Sequence, residues 1–455
     1  MKNESMIQKL FQGKRVTKMG FGPNGRSYGD ILFLVRNGAH VLVTDYRDEP
    51  DIQASKEKLL LELTEDQQLQ LTFVLGEHRE KDFIDTDMVI KASGVSLDSQ
   101  YIQASEKAGI PVISTSAFLY KIAHESFENI ITIGVTGTKG KSTTTDMIEH
   151  VLKQLGVSYH VAGNIRGVAN LPVLEELQDG DVILGELDSW QLQGFGDLKI
   201  SPKVSVFTNF FEDHLNYYKG SMQAYFDDKA EIYLHQSEND MTFISTQAEE
   251  AISQYGKPQE TLYTVDTSAL QGSELQVLGE QNRENAALAF AASRSLGLDE
   301  KDVLHALSMY KPMEGRLRIM GEKRGITYVD DNNSTTPTSS IQTIKALQKA
   351  YLDANIHVLG GGADKEFDYF EFGTYLDNHV SSMALFAGAA TDKIINHVSS
   401  LNYKVVDSMK AAWDFAHGHA TKGDIIVLTP GAASFGVFLN EYERGDRFRE
   451  LFDKL

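Results

Sequence analysis

Cysteine is absent from the sequence, which removes disulfides, thiolate nucleophiles, iron–sulfur clusters and Cys-based zinc sites together. That suits a cytoplasmic protein. Nowhere do about 18 uncharged apolar residues follow one another, and the opening MKNESMIQKLFQGKR lacks the apolar core of a secretory signal, so neither export nor a membrane span is expected. Positive charge is in deficit: 43 Lys and Arg face 64 Asp and Glu, a formal net charge of −21. A polyanion of this size is repelled by nucleic acid and by anionic membrane surfaces, so neither is an expected partner. Any anionic ligand must meet locally gathered basic groups. With 9 Pro and 37 Gly among 455 residues, 42% hydrophobic and 24% charged, the composition excludes collagen and disorder. No fixed-period repeat supports a solenoid.

At about 150 residues per domain the length suggests roughly three domains. Short β-branched runs alternate with helix-length segments: Val16–Met19, His40–Thr44, Leu71–Leu75, Met88–Ala92, then Ile130–Val135, Ser158–Ala162, Val182–Leu187 and Val204–Asn209, then Ile326–Val329, Ile356–Leu359, Met383–Phe386, Lys404–Val406 and Asp424–Leu428. The alternation predicts βαβ units around parallel sheets, an α/β fold almost throughout. Helices are expected over Met222–His235, Gln281–Leu296 and Asp302–Tyr310, and Pro and Gly near 111–116 and 311–316 place domains at 1–112, 113–313 and 314–455.

Two loops carry phosphate chemistry. The first strand runs into Gly20-Phe21-Gly22-Pro23-Asn24-Gly25, with Asp45 at the end of the second strand and Arg47 beyond it. This is the GxGxxG arrangement of a Rossmann-type nucleotide site, in which backbone N–H groups meet a diphosphate at a helix N-terminus. A tight βα turn without a ligand would look the same. More specific is GVTGTKGKSTTT, residues 134–145, between a strand and a helix starting near Ser142. Gly137, Thr138, Lys139 and Gly140 would wrap phosphates in N–H donors, Lys141 would reach the terminal phosphates, and Ser142, followed by Thr143, would hold Mg²⁺. The strict GxxxxGK[ST] pattern fails at Val135. Three further strand ends in the same segment carry polar groups: Gly163-Asn164, Glu186 to Gln191, and Thr208 to His214. Glu186 and His214 suit a Mg²⁺ shell beside a triphosphate, although a lone His is more often structural.

These motifs, with AGNI (162–165), ELDSWQL (186–192), TNFFEDHLNYY (208–218), AYFDDKAEIY (224–233), GEQNRENAALA (279–289), GGGADKEFD (360–368) and TPGAASFGVFLNEYERGDRF (429–448), resemble the Mur ligases over nearly the full length. The resemblance implies three domains: a Rossmann-like N-terminal domain for the UDP sugar, a central P-loop ATPase-type domain, and a C-terminal Rossmann-like domain that brings the amino acid. It implies an ATP- and Mg²⁺-dependent ligase that joins D-glutamate to UDP-N-acetylmuramoyl-L-alanine through an acyl phosphate, acting as a cytoplasmic monomer in cell-wall precursor synthesis. By the same resemblance Lys229 would be carbamylated and join Ser142, Glu186 and His214 at the metal. From the residues alone it reads as an ordinary helix lysine. Asn282, Asn285, Arg316 and Asp331 would serve ATP, while Gly22, Asn24, Gly25, Asp45, Arg47 and Asn164 would serve the UDP substrate. Thr335, Lys365, Ser434 and Phe435 would serve the amino acid.

Several positions depart from the family pattern. Gly315-Arg316 stands for His-Arg, Asp188 for a Ser, Glu441 with Tyr442 next to it for an aromatic, and Asn333 for a lysine that helps recognise the acidic amino acid. The last leaves another amino acid acceptor as an alternative. An NAD-dependent oxidoreductase, built on the first loop alone, would leave the second loop unexplained, and a nucleotide-switched regulatory protein would need no acceptor at all.

Overall fold

A computed structural model describes residues 2–21, 26–165, 167–256 and 258–455. The chain forms two compact units: the first comprises the residues up to Gln271 together with Asn285–Ala306, and the second Gly272–Glu284 with Leu307–Leu455. The division falls inside one helix, Glu280–Arg294.

The first unit contains two sheets. One is built from β1 (Arg15–Met19), β2 (His40–Asp45), β3 (Leu71–Leu75), β4 (Met88–Lys91) and β5 (Val112–Ile113), in the order β3-β2-β1-β4-β5 with every pairing parallel. The order reverses between β1 and β4, the switch point at which open α/β sheets receive ligands. The other contains β6 (Ile131–Thr136), β7 (Tyr159–Gly163), β8 (Val182–Glu186), β9 (Val204–Phe207), β10 (Met241–Ile244) and β11 (Leu262–Thr264), ordered β11-β10-β9-β6-β8-β7 and again wholly parallel. One apolar cluster runs from Ile7 and Phe11 through Val41 and Tyr120 to Phe207 and Ile252, so the two sheets share a buried interior, while Met19, Phe83, Val89 and Ile102 form a separate cluster on the first sheet. Buried Asp30 ties them further by accepting the Leu171 N–H at 3.0 Å.

The second unit holds β12 (Arg318–Lys323), β13 (Ile326–Asp330), β14 (Ile356–Gly361), β15 (Ser382–Phe386), β16 (Asn402–Val406) and β17 (Ile425–Leu428), ordered β12-β13-β17-β14-β15-β16. The fold is the expected three-sheet α/β architecture, with one difference: β12 pairs antiparallel with β13, shifting register between Ile319 and Gly321. β5, β10, β11 and β12 were not among the expected strands.

One expected helix ends early. Met222–Ala230 is helical, but 231–235 tightens into turns with Ile232 N–H bonded to Lys229 O and Tyr233 N–H to Ala230 O. Ser201 Oγ donates to Glu231 O at 2.7 Å and Ser205 Oγ to Ile232 O at 2.8 Å, which takes carbonyls a longer helix would use. The other two helices span Glu280–Arg294 and Glu300–Ser308. Among the described residues no helix is long and apolar enough to cross a membrane.

Candidate active site

In the first unit β6 leads into Gly137–Gly140 and then the helix Lys141–Gln154, whose first N–H groups have no partner within the helix and so favour an anion. The segment after β9 laces this loop into shape. Thr138 N–H donates to Asn209 O and Lys139 N–H to Asn209 Oδ1, both at 2.8 Å; Phe211 N–H donates to Thr138 Oγ1 at 2.9 Å, and Thr208 Oγ1 donates to Lys139 O at 2.5 Å. The loop passes so close to Thr208 that a Cβ on Gly137 would stand 2.0 Å from its Oγ1, and φ there is +141°. Ser142 is half-buried and Thr143 buried in the first helical turn.

Two ammonium groups share one acceptor. Lys141 Nζ donates to Gly137 O at 3.0 Å and to Thr138 O at 3.1 Å, while Lys229 Nζ donates to the same Gly137 O at 2.9 Å and to Thr136 Oγ1 at 3.4 Å. Lys229 is 1% exposed. Burial, reinforced by the charge of Lys141, pushes its pKa well below the usual lysine value, against the pull of Asp188, Asp213 and Asp228. The ordinary helix lysine that its sequence context suggests is thus not what the fold makes of it.

Glu186, the last residue of β8, is buried and stands in register between Val135 of β6 and Gly163 of β7. Asn164 N–H donates to Glu186 O at 2.6 Å, and Gly163 is held at φ +87° with no room for a side chain, a Cβ being 2.1 Å from that same oxygen. Asp188 begins the next helix as its N-cap: it accepts Gln191 N–H at 2.9 Å while Gln191 Oε1 accepts the Asp188 N–H at 3.1 Å, a reciprocal cap. His214 sits at φ +54°, uncommon for a side-chain-bearing residue, with its ring 4.8 Å from Trp190 and Nε2 3.7 Å from Asp213 Oδ2. Asp228, beside Lys229, accepts Gln193 at 2.7 Å and Tyr218 at 2.9 Å, and burial raises its carboxyl to about 6. Asn285 is buried against the phosphate loop, its Oδ1 2.5 Å from where a Cβ on Gly140 would lie.

At the end of β2, Asp45 accepts Phe21 N–H at 2.9 Å and Arg47 N–H at 3.0 Å, and exposed Arg47 lies 3.8 Å from it. Gly22, Asn24 and Gly25 lie outside the described residues.

The other candidates belong to the second unit, on loops at the carboxyl ends of β13, β14 and β17. Lys365 Nζ donates to Thr335 Oγ1 at 3.1 Å. Ala363 and Ala433 exchange backbone bonds of 3.0 and 3.1 Å, which draws the loop of buried Ser434 and exposed Phe435 to that of Lys365. Arg316 is exposed on a turn fixed on both sides, Gly315 N–H bonding Asp330 at 3.0 Å and Leu317 N–H bonding Asp331 at 2.9 Å. Asp331 also accepts the hydroxyls of Ser334 and Thr343, and burial raises its carboxyl to about 6. Its contacts make it a support for the Arg316 turn. Asn282 is buried and donates to Leu278 O at 2.9 Å. Arg444, to which sequence reasoning assigned no role, is fully buried and binds Asn332 Oδ1 at 2.7 Å, Asn332 O at 3.0 Å and Ala432 O at 3.2 Å, pinning two of these loops. The only signal was its place in an already recognisable motif.

Three family models match: the MurD-like N-terminal domain of Mur ligases over residues 14–114, the Mur ligase middle domain over 135–271 and the Mur ligase glutamate ligase domain over 315–432. A UDP-N-acetylmuramoylalanine–D-glutamate ligase of Roseiflexus sp. (strain RS-1) is 30% identical, covering 97% of this chain and 98% of the relative. One from Borreliella afzelii (strain PKo) is also 30% identical, over 96% and 97%. Among solved structures, the UDP-N-acetylmuramate-alanine ligase MurC of Thermotoga maritima aligns at a TM-score of 0.59 with 18% identity over 97% and 99% of the two chains. The MurF ligase of the same organism, in complex with ADP, aligns at 0.58 with 17% identity over 98% and 96%. These two likenesses concern the fold.

Proposed function

Because this chain belongs to the Mur ligase family, we propose that it joins D-glutamate to UDP-N-acetylmuramoyl-L-alanine, converting ATP to ADP and phosphate, as a monomer in the cytoplasm. The observation that carries the reading is the pair of lysine ammoniums on Gly137 O at the mouth of a phosphate loop, with Glu186 at the adjoining strand end.

The chemistry has two stages. A carboxylate oxygen of the muramoyl-alanine attacks the γ-phosphorus of ATP, the bond to the bridging oxygen breaks, and ADP leaves. The D-glutamate amine then attacks the acyl phosphate carbon, phosphate departs, and the amine gives up a proton as the amide forms. Phosphoryl transfer needs positioning and charge neutralisation more than covalent help. The N–H groups from Gly137 to Thr143 would bind the phosphates, and Lys141 would shift from its carbonyls to the terminal phosphate. Ser142 and Glu186 offer oxygen ligands, and among the described residues no three His, Asp or Glu side chains converge as an all-protein cage. That donor set fits Mg²⁺, which takes one or two protein oxygens and completes its shell with phosphate and water. When bound, the ion neutralises the charge that builds between phosphate and carboxylate. His214 would support the shell, as would Lys229 once its neutral amine adds CO₂ and releases a proton to become a carbamate. Asn285 would hold the loop, and Asn282 and Arg316 would serve ATP, with Asp331 fixing the turn that carries Arg316. Asp45, Arg47 and Asn164 would contact the UDP substrate. Thr335, Lys365, Ser434 and Phe435 would receive D-glutamate.

Asn333 favours one second reading, the same ligase with a less acidic acceptor. The three matched domains leave the dehydrogenase reading without support. ADP release measured with UDP-N-acetylmuramoyl-L-alanine and a panel of D- and L-amino acids tests both. Strict dependence on D-glutamate is the expected result, and equal rates with neutral and L-amino acids would leave only the amide ligase.

A further inference from the structure

Lys91 is the final residue of β4, at the point where the strand order of the first sheet reverses. It is 4% exposed, and its one hydrogen bond among the described residues is a long one, Nζ to Val95 O at 3.4 Å. An ammonium carries three donors and normally fills them when buried. No carboxylate of the described residues lies within ion-pair distance of it, yet Asp197, Asp188 and Asp228 are the carboxylates whose field it feels. Two of these, Asp188 and Asp228, also act on Lys229. The carboxylates acting on Lys91 therefore belong to helices packed with the second sheet: Asp188 caps the helix Ser189–Leu198 and Asp197 lies near its other end, while Asp228 lies in Met222–Ala230. The loop that follows it reaches the same place, with Asp98 paired to Lys219 at 2.5 Å and Tyr217 meeting Ser96 and Leu97.

We propose that Lys91 binds the carboxylate of the muramoyl-alanine substrate, the group that is phosphorylated, and fills its open donors with that anion. The assignment rests on the ligase reading. That substrate carries two anionic parts, a diphosphate and one carboxylate. The diphosphate belongs beyond the end of β1, at the N-terminus of the helix Arg26–Arg36. The carboxylate must pass the field of Asp188 and Asp228, which Lys91 and Lys229 both feel, and approach a phosphate that is itself anionic. A buried cation on its route lowers that barrier and orients the oxygen.

The test compares UDP-N-acetylmuramoyl-L-alanine with its C-terminal carboxamide in equilibrium binding, without nucleotide or Mg²⁺. The parent is expected to bind the acid about ten- to a hundredfold more tightly than the amide, the worth of one charged hydrogen bond. Lys91→Met should lose that preference and bind both alike. Should Lys91→Met not fold, Lys91→Gln, which keeps a donor and loses the charge, must show the same loss, and Lys91→Arg must keep most of it. A variant that discriminates acid from amide as well as the parent does overturns the assignment and leaves Lys91 only balancing Asp188 and Asp228. A parent that neither binds the muramoyl nucleotide nor releases ADP in its presence would instead remove the ligase reading.

Discussion

Replacing Gly137 with alanine is the most demanding test of the phosphate loop, because the structure states what the added methyl would meet. Its Cβ would lie 2.0 Å from Thr208 Oγ1 and 3.0 Å from both the N and O of Asn209, at a backbone φ of +141° that side chains avoid. The backbone conformation alone costs about 1–3 kcal/mol. The hydroxyl of Thr208 must also move, surrendering the one hydrogen bond it donates, to Lys139 O or the more distant Thr136 O, at about 0.5–1.5 kcal/mol. The sum, on the order of 1.5–4.5 kcal/mol, is a large fraction of the stability of a typical domain. A loop that relaxes instead loses the geometry in which Thr138 and Lys139 N–H groups are aimed. Either way, ATP-dependent ADP release should fall at least a hundredfold, and urea unfolding should report the stability loss. Thr208→Ala removes the shortest contact but leaves the φ and the Asn209 contacts, so Gly137→Ala with Thr208→Ala should cost about 1 kcal/mol less than the two singles added. Parent-like turnover and stability of Gly137→Ala, or strict additivity in the double variant, would refute the reasoning.

Four further outcomes are expected. Glu186→Gln should raise the Mg²⁺ concentration needed for half-maximal turnover, since an amide is a poorer ligand for a hard dication; superimposable titrations would take Glu186 out of the metal shell. Lys229→Ala should lose activity that a short carboxylic acid partly restores, and full activity of that variant in bicarbonate-free buffer would eliminate the carbamate. Asn333→Lys should tighten D-glutamate binding about ten- to a hundredfold if Thr335 and Lys365 already frame an acidic acceptor; calorimetric titration reads it, and an unchanged affinity counts against that site. Burial, partly opposed by Asp30, lowers the Lys18 pKa to about 8. The unfolded chain therefore binds more protons between that value and the ordinary 10.5, so stability should rise with pH through this window relative to Lys18→Met, by on the order of 3 kcal/mol in all. Parallel stability curves for the two proteins would contradict it.

Central parallel strands such as Ile131–Thr136, Val182–Glu186 and Ile356–Gly361 were legible because each is a short apolar run buried on both faces, a pattern with few competing explanations, whereas the parallel strands Val112–Ile113 and Leu262–Thr264 are too short to show one. β12 was not: it is a partly exposed edge strand, RIMGEK, whose polar residues and irregularity at Gly321 break any alternation. The helix after Ser221 was overextended because Ser201 and Ser205, which draw away its final carbonyls, come from a distant stretch of chain. The site divides the same way. The residues of the phosphate loop are contiguous, so spacing alone revealed them. The character of Lys229 depends on Gly137, Lys141 and Asp188, whose proximity only the fold creates, and its helix position carries no trace of it. The hydrogen bonds of Asp331 to Leu317, Ser334 and Thr343 join residues on both sides of it in the chain, and no motif spacing announces them.

The reciprocal cap at Asp188 has a consequence for how such an enzyme can drift. What the helix start demands there is an oxygen acceptor, a role that serine, asparagine and aspartate fill about equally well. Charge is not part of the demand. The position can therefore exchange neutral and anionic side chains at little cost to folding, while each exchange changes the field felt by Lys91 and Lys229 by a full unit of charge. A lineage could retune its reactive centre at this one residue and leave the scaffold untouched.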